Sequence, residues 1–163
     1  MNATLSDFDA VARLLAEYAE RRVFQGFSRG PASRSKARFQ IAWHRGRVFE
    51  LTLDVTSNTL RLPELLTGVP VDSTMYRELK AFIRSRQADD LPEHRRLDTS
   101  RLQARTYCRC GSILLVMKSL DGDNEYAARK LVHLVNEIYL TFLSEGPYLD
   151  YMIETFNLDP DRM

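Results

Sequence analysis

The chain has 163 residues, 44% of them hydrophobic and 28% charged, with 23 basic against 22 acidic side chains. That length suits one domain, and the composition is that of an ordinary folded chain, which excludes global disorder. No stretch approaches the ~18 uninterrupted apolar residues of a membrane span, and a net charge of +1 gives no whole-molecule reason to bind nucleic acid or anionic membranes.

The first predicted element is a helix. Ser6 reads as its N-cap, with Asp7 and Asp9 in the first turn. Phe8, Val11, Ala12, Leu15, Tyr18 and Ala19 form one apolar stripe at helical spacing, and Arg21 and Arg22 close the helix. Residues 25–36 are rich in Gly, Pro, Ser and positive charge and read as a surface loop.

A hairpin follows. Phe39, Ile41 and Trp43 alternate on one strand, and Phe49, Leu51, Leu53 and Val55 on the next, with His44 to Arg47 as the turn. Leu60 to Leu66 reads as a third strand, an edge strand or else an extended connection, because Pro63 has no amide donor. A second helix starts near Asp72 or Ser73, with Met75, Leu79, Phe82 and Ile83 as its stripe.

Residues 88–101 are polar and form a connector. Leu102, Ala104, Thr106 and Cys108 alternate on a further strand. Ile113 to Met117 is so continuously apolar that it predicts a central strand covered on both faces. The last long helix starts near Asp123, carries Ala127, Leu131, Leu134, Val135, Ile138 and Phe142, and stops at Gly146-Pro147. Tyr148, Tyr151, Met152 and Phe156 predict a short final helix.

The resulting order is α-β-β-β-α-β-β-α with a short C-terminal helix. It predicts one α+β domain over residues 1–163, a twisted antiparallel sheet of about five strands with helices packed on one face. This order resembles the class I type III secretion chaperone-like fold over roughly residues 6 to 145. The segments 18–24, 75–82 and 129–135 also resemble a conserved bacterial family of uncharacterised proteins. The chaperone-like resemblance implies partner binding, often as a dimer; the second implies no activity.

Catalytic and cofactor motifs are missing. There is no phosphate-binding glycine loop and no nucleophile elbow. His44, His94 and His133 are scattered and read as solvated side chains. Cys108 and Cys110 stand two apart, a poor geometry for bridging each other, with no second ligand pair to complete a metal site. No cofactor, metal or catalytic residue is expected. Free thiols and an N-terminus without a basic and apolar leader predict a reducing, cytoplasmic setting.

Charge distribution is the remaining signal. Residues 21–49 hold eight basic side chains and no acid: Arg21, Arg22, Arg29, Arg34, Lys36, Arg38, Arg45 and Arg47. The second helix adds Arg77, Lys80 and Arg84 on one face. Residues 144–163 carry five acids against Arg162 alone, together with Tyr148, Tyr151 and Phe156. These features predict a non-catalytic protein-binding or adaptor protein that meets a protein partner or a second copy of itself, with complementary charge setting register. The alternative is a nucleic-acid-binding module using the 21–49 segment and the second helix, with Phe24, Phe27 and Trp43 interleaved among the cations.

Overall fold

A computed structural model describes residues 3–44 and 46–143. Helix α1 (Ala3–Glu20) leads into strands β1 (Gly26–Ala32), β2 (Lys36–Trp43), β3 (Arg47–Asp54) and β4 (Thr59–Leu66). Helix α2 (Thr74–Ser85), a 3-10 turn (Glu93–Arg95), β5 (Leu102–Arg109), β6 (Ser112–Ser119), α3 (Asn124–Glu137) and a π-helical segment (Ile138–Leu143) follow. All strand pairs are antiparallel, in the order β1-β2-β3-β4-β6-β5. The α+β reading therefore holds. The expected C-terminal helix and the stop at Gly146-Pro147 lie outside the described residues.

Six strands replace the expected five, because part of the supposed loop is β1. Its poor strand composition is overridden by pairing. Gly26 to Arg29 run against Ala42 to Phe39, and the Phe27 ring stacks on Phe39 at 6.1 Å. Pro31 is tolerated because β1 is an edge strand and the ladder shifts register between Arg29 and Ala32. At Gly30 a β-carbon would stand 3.1 Å from the Arg38 carbonyl oxygen, so the close approach of β1 to β2 there favours glycine.

Two other placements differ from expectation. Strand β4 is internal, between β3 and β6. Its pairing with β3 covers only Thr59 to Arg61, and its pairing with β6 shifts between Leu62 and Leu66. Pro63 sits in that irregularity, where no ladder bond is lost. Among the described residues, strand β6 is not covered on both faces. Ile113, Leu115 and Met117 are buried against the helices, whereas Leu114 and Val116 face the open side and remain half-exposed.

The helices begin and end for local reasons. Helix α1 already runs from Ala3, so Ser6, Asp7 and Asp9 lie inside it rather than at its cap. It ends on Arg22 in the left-handed region (φ 64), with Val23 N–H donating to Tyr18 O and Arg22 N–H to Ala19 O. Ser73 caps α2 and Asp123 caps α3, each accepting from the amide three residues on. Most of the predicted stripe positions are buried, Phe8, Val11 and Leu15 on α1, Leu79 and Ile83, joined by Tyr76, on α2, and Ala127, Leu131, Leu134 and Val135 on α3, whereas Ala19, Met75, Phe82 and Phe142 are half-buried against that core.

Polar ties hold this helical layer in place. Arg86 of α2 binds Glu137 of α3 at 2.8 Å. The Tyr76 hydroxyl lies 3.2 Å from Thr106 Oγ1, linking α2 to β5. Lys130, only 3% exposed at its side chain, binds the Glu93 carboxylate at 3.1 Å and also its carbonyl, so the 3-10 turn covers α3. Lys130 holds the Glu93 carboxyl below the usual carboxylate range.

One-sided cover of β6 sets a measurable contrast. Leu115→Ala opens a cavity under the helices and is expected to cost about 2–5 kcal/mol, whereas Val116→Ala, on the open face, should cost less than about 1 kcal/mol. Urea unfolding of the two variants reads the difference.

Candidate functional site

The basic stretch 21–49 does not form one surface. Arg29 pairs with Asp9 of α1 at 2.8 Å, and Arg38 lies 3.9 Å from Glu50 of β3. Arg47 turns toward the helix layer, donating to Tyr139 Oη at 2.7 Å and to the Glu64 carbonyl at 2.8 Å. Arg34 and Lys36 are exposed around the β1–β2 turn. Phe24 and Trp43 are buried and Phe27 is half-buried, so the aromatics expected to interleave with the cations are core residues instead. Arg45, Tyr148, Tyr151 and Phe156 lie outside the described residues.

A different set of cations gathers at the other end of the sheet. On its open face, register places Arg61 of β4 and Arg105 of β5 on either side of Val116, and Thr59 and Gln103 on either side of Lys118. Tyr107 faces Leu114, and Arg109 faces Ser112. Neighbouring strands stand about 4.8 Å apart, so the Arg61 and Arg105 backbones are separated by roughly 10 Å. These side chains line a shallow cavity of about 420 Å³ that contains Arg61, Arg105, Arg109 and Lys118 and no acid. None of the four cations has an acidic partner among the described residues, whereas Arg101 and Arg129 are held by Asp121, Asp123 and Glu125. Tyr107, 45% exposed, is the one exposed aromatic ring among the described residues.

A second groove of about 400 Å³ adjoins the first around the β5 edge. Lys80, Ile83, Arg84 and Gln87 of α2 form one wall, and Ala104 to Tyr107 of β5 the other. Arg105 and Tyr107 line both cavities. The structure thus joins Lys80 and Arg84 to Arg105 and not to the 21–49 stretch. Arg77 stays apart, bonded to the Asp72 carbonyl and Thr74 Oγ1 beside its own helix start.

Arg61, Arg105, Arg109 and Lys118 are isolated along the chain, so no local sequence signal marks them as a group. Their outward positions follow from strand alternation, but their meeting depends on β4, β6 and β5 being adjacent.

The histidines and thiols carry less. His44 is not a surface side chain. It adopts a left-handed backbone (φ 51) and its ring stacks on Tyr139 at 4.1 Å and on Trp43 at 4.6 Å. Its Nε2 is buried without a hydrogen-bond partner among the described residues, and burial, with a smaller contribution from Arg47, pushes its pKa down to about 3. His133 is half-covered rather than solvated. Its ring lies 6.4 Å from His94, and its pKa is lowered by burial and then by Lys130. The cavity beside it holds Arg95, Asn136 and Glu137 but no serine or cysteine. Cys108 Sγ donates to the Val69 carbonyl at 3.2 Å, while Cys110 occupies the β5–β6 turn, so the two thiols do not share a strand face. Among the described residues, no group of three metal-ligating side chains occurs and no helix is long and apolar enough to cross a membrane.

Comparison of the chain with protein-family models, curated proteins and solved structures gives no match.

The His44 stack predicts an acid sensitivity. In the unfolded chain its imidazole takes up a proton near 6.5, in the folded chain only near 3. Between those values the unfolded state binds more protons, so this contribution to stability is full above pH 6.5 and declines as the pH falls through that window. His44→Phe is expected to flatten the decline, read as the difference between variant and wild-type unfolding free energies across the pH series.

Proposed function

We propose that this chain is a non-catalytic protein-binding protein, an adaptor that takes an acidic protein partner on the basic β5 end of its sheet. The reading is carried by one observation: Arg61, Arg105, Arg109 and Lys118 converge around Tyr107 with no acidic side chain among them. Four cations in one cavity, without an acidic partner among the described residues, repel one another and attract an anionic partner, and such complementarity mainly sets encounter rate and specificity. Half-exposed Leu114 and Val116 between the cations supply apolar contact that a protein segment can bury.

A nucleic-acid partner is less well supported. Backbone-tracking single-strand binders stack successive bases on several aromatic rings, and here one exposed tyrosine is available. Self-association through this same end is disfavoured, since two copies would bring like charges together. The dimeric, chaperone-like arrangement suggested by element order would need another face. Two free cysteines accord with a reducing, cytoplasmic setting.

Fluorescence anisotropy with a labelled Glu- and Val-containing peptide tests this reading. At about 50 mM salt the peptide should bind, and raising salt to about 300 mM should weaken it several-fold as screening shortens. The double variant Arg61→Glu, Arg109→Glu should lose at least about tenfold in affinity, or 1.4 kcal/mol, and Arg34→Glu should bind as wild type. Tighter binding of an oligothymidylate than of the peptide would replace the protein reading with the nucleic-acid one.

A further inference from the structure

We infer that β5 is a docking edge: an extended acidic segment of a protein partner adds to it as a seventh strand, lying in the groove between β5 and α2. The inference rests on the acidic-partner reading above and specifies its mode.

The sheet has two edges, and they differ. Strand β1 is broken as a template by Pro31 and by its register shift. Strand β5 pairs with β6 without interruption from Leu102↔Ser119 to Arg109↔Ser112, and contains neither proline nor glycine. Among the described residues, the only backbone hydrogen bond from β5 outside that ladder is Leu102 N–H to Asp98 O, at 2.8 Å. From Gln103 to Arg109, the amides and carbonyls on the outer side of the strand therefore have no backbone partner among the described residues. In an antiparallel ladder these belong to every second residue, the pattern that an incoming strand needs.

The space beside this edge is already shaped. The groove of about 400 Å³ runs between β5 and α2. Small side chains at Ala104 and Thr106 keep it open, and Ile83 adds an apolar wall. Helix α2 is held beside the groove by Tyr76 with Thr106 and by Arg86 with Glu137. The groove thus exists before any partner arrives, which lowers the ordering cost of binding.

Charge selects the occupant. Lys80, Arg84 and Arg105 line the groove with no acid. An added strand alternates its side chains between the two sheet faces. One set would meet Ile83 and Ala104, with Lys80 and Arg84 beside them. The other would meet Arg105, Tyr107 and Arg109 on the open face. The matching segment alternates apolar and acidic residues. A second copy of β5 is disfavoured in the same place by charge, because it would bring its own arginines beside Arg105 and Arg109.

The test uses the whole chain and a peptide of about nine residues alternating Glu and Val, a length matched to one strand. Two further peptides of the same sequence carry backbone N-methyl groups, one on the odd residues and one on the even. The parent peptide should bind and slow amide exchange at the outward positions within 103–109 by at least tenfold. One N-methylated peptide should lose at least tenfold in affinity, since a strand bonds along one edge, while the other binds nearly as the parent does. Arg84→Glu should weaken the parent peptide by a similar factor. Equal binding of both N-methylated peptides, or unchanged exchange at 103–109 with peptide bound, would overturn strand addition yet leave an acidic partner on the open face intact. Failure of every acidic peptide to bind would remove both readings.

Discussion

Among the described residues, helices cover only one face of this sheet, and most of the structure's properties descend from that asymmetry. Each strand must bury one set of alternate residues and leave the other set to solvent. The buried set builds a continuous core: Phe39 and Ile41, Phe49 to Leu53, Leu60 and Leu62, and Ile113 to Met117 on alternate positions. The other set then has no packing duty, so its chemistry is free to serve contact with other molecules. Along β4, β6 and β5 that set is Arg61, Leu114, Val116, Lys118, Arg105, Tyr107 and Arg109, a mixture that covers no core and neutralises no neighbour.

The helical layer has its own consequence for the open end. Three helices do not tile six strands fully. Helix α3 spans the middle of the sheet and α1 lies toward β1, while α2 sits beside β5. Tyr76, Leu79 and Ile83 seat it on the core and polar ties reinforce that seat, while the small side chains of Ala104 and Thr106 leave room between α2 and the last strand. The π-helical segment packs on α2 through Phe142 and Phe82, whose rings lie 5.5 Å apart, and is pinned by Tyr139, whose hydroxyl donates to the Leu65 carbonyl and accepts from Arg47 while its ring covers His44. A wider helical turn at that point lets one side chain serve all three contacts. The layer is thus anchored where β2, β3 and β4 meet it and open where β5 ends.

Charge illustrates how far a linear reading reaches. The run from Arg21 to Arg47 stands out in the sequence because its cations are close together along the chain. Folding separates them by sending alternate strand residues to opposite faces and by supplying Asp9 and Glu50 from neighbouring elements. Arg61, Arg105, Arg109 and Lys118 show the reverse. Each is unremarkable in its own segment, and they become a cluster only through register. His44 follows the same logic. A hairpin tip reads as exposed, yet the Tyr139 ring, 95 positions away by residue number, arrives to bury it.

The class of fold, the cap of α3 near Asp123, the β2–β3 hairpin and the buried stripes of the helices and of that hairpin are all legible in the linear chain. Those features depend on contacts between residues close together in the chain and on periodicities of 3.6 and 2, which are local quantities. Only the tertiary structure decided that residues 26–32 form a strand, that β4 is internal despite Pro63, and that the candidate surface lies at β5 rather than along residues 21–49. Those outcomes depend on which strands become neighbours. Neighbourhood follows from the packing of the whole sheet against its helices, and no single segment's composition encodes it.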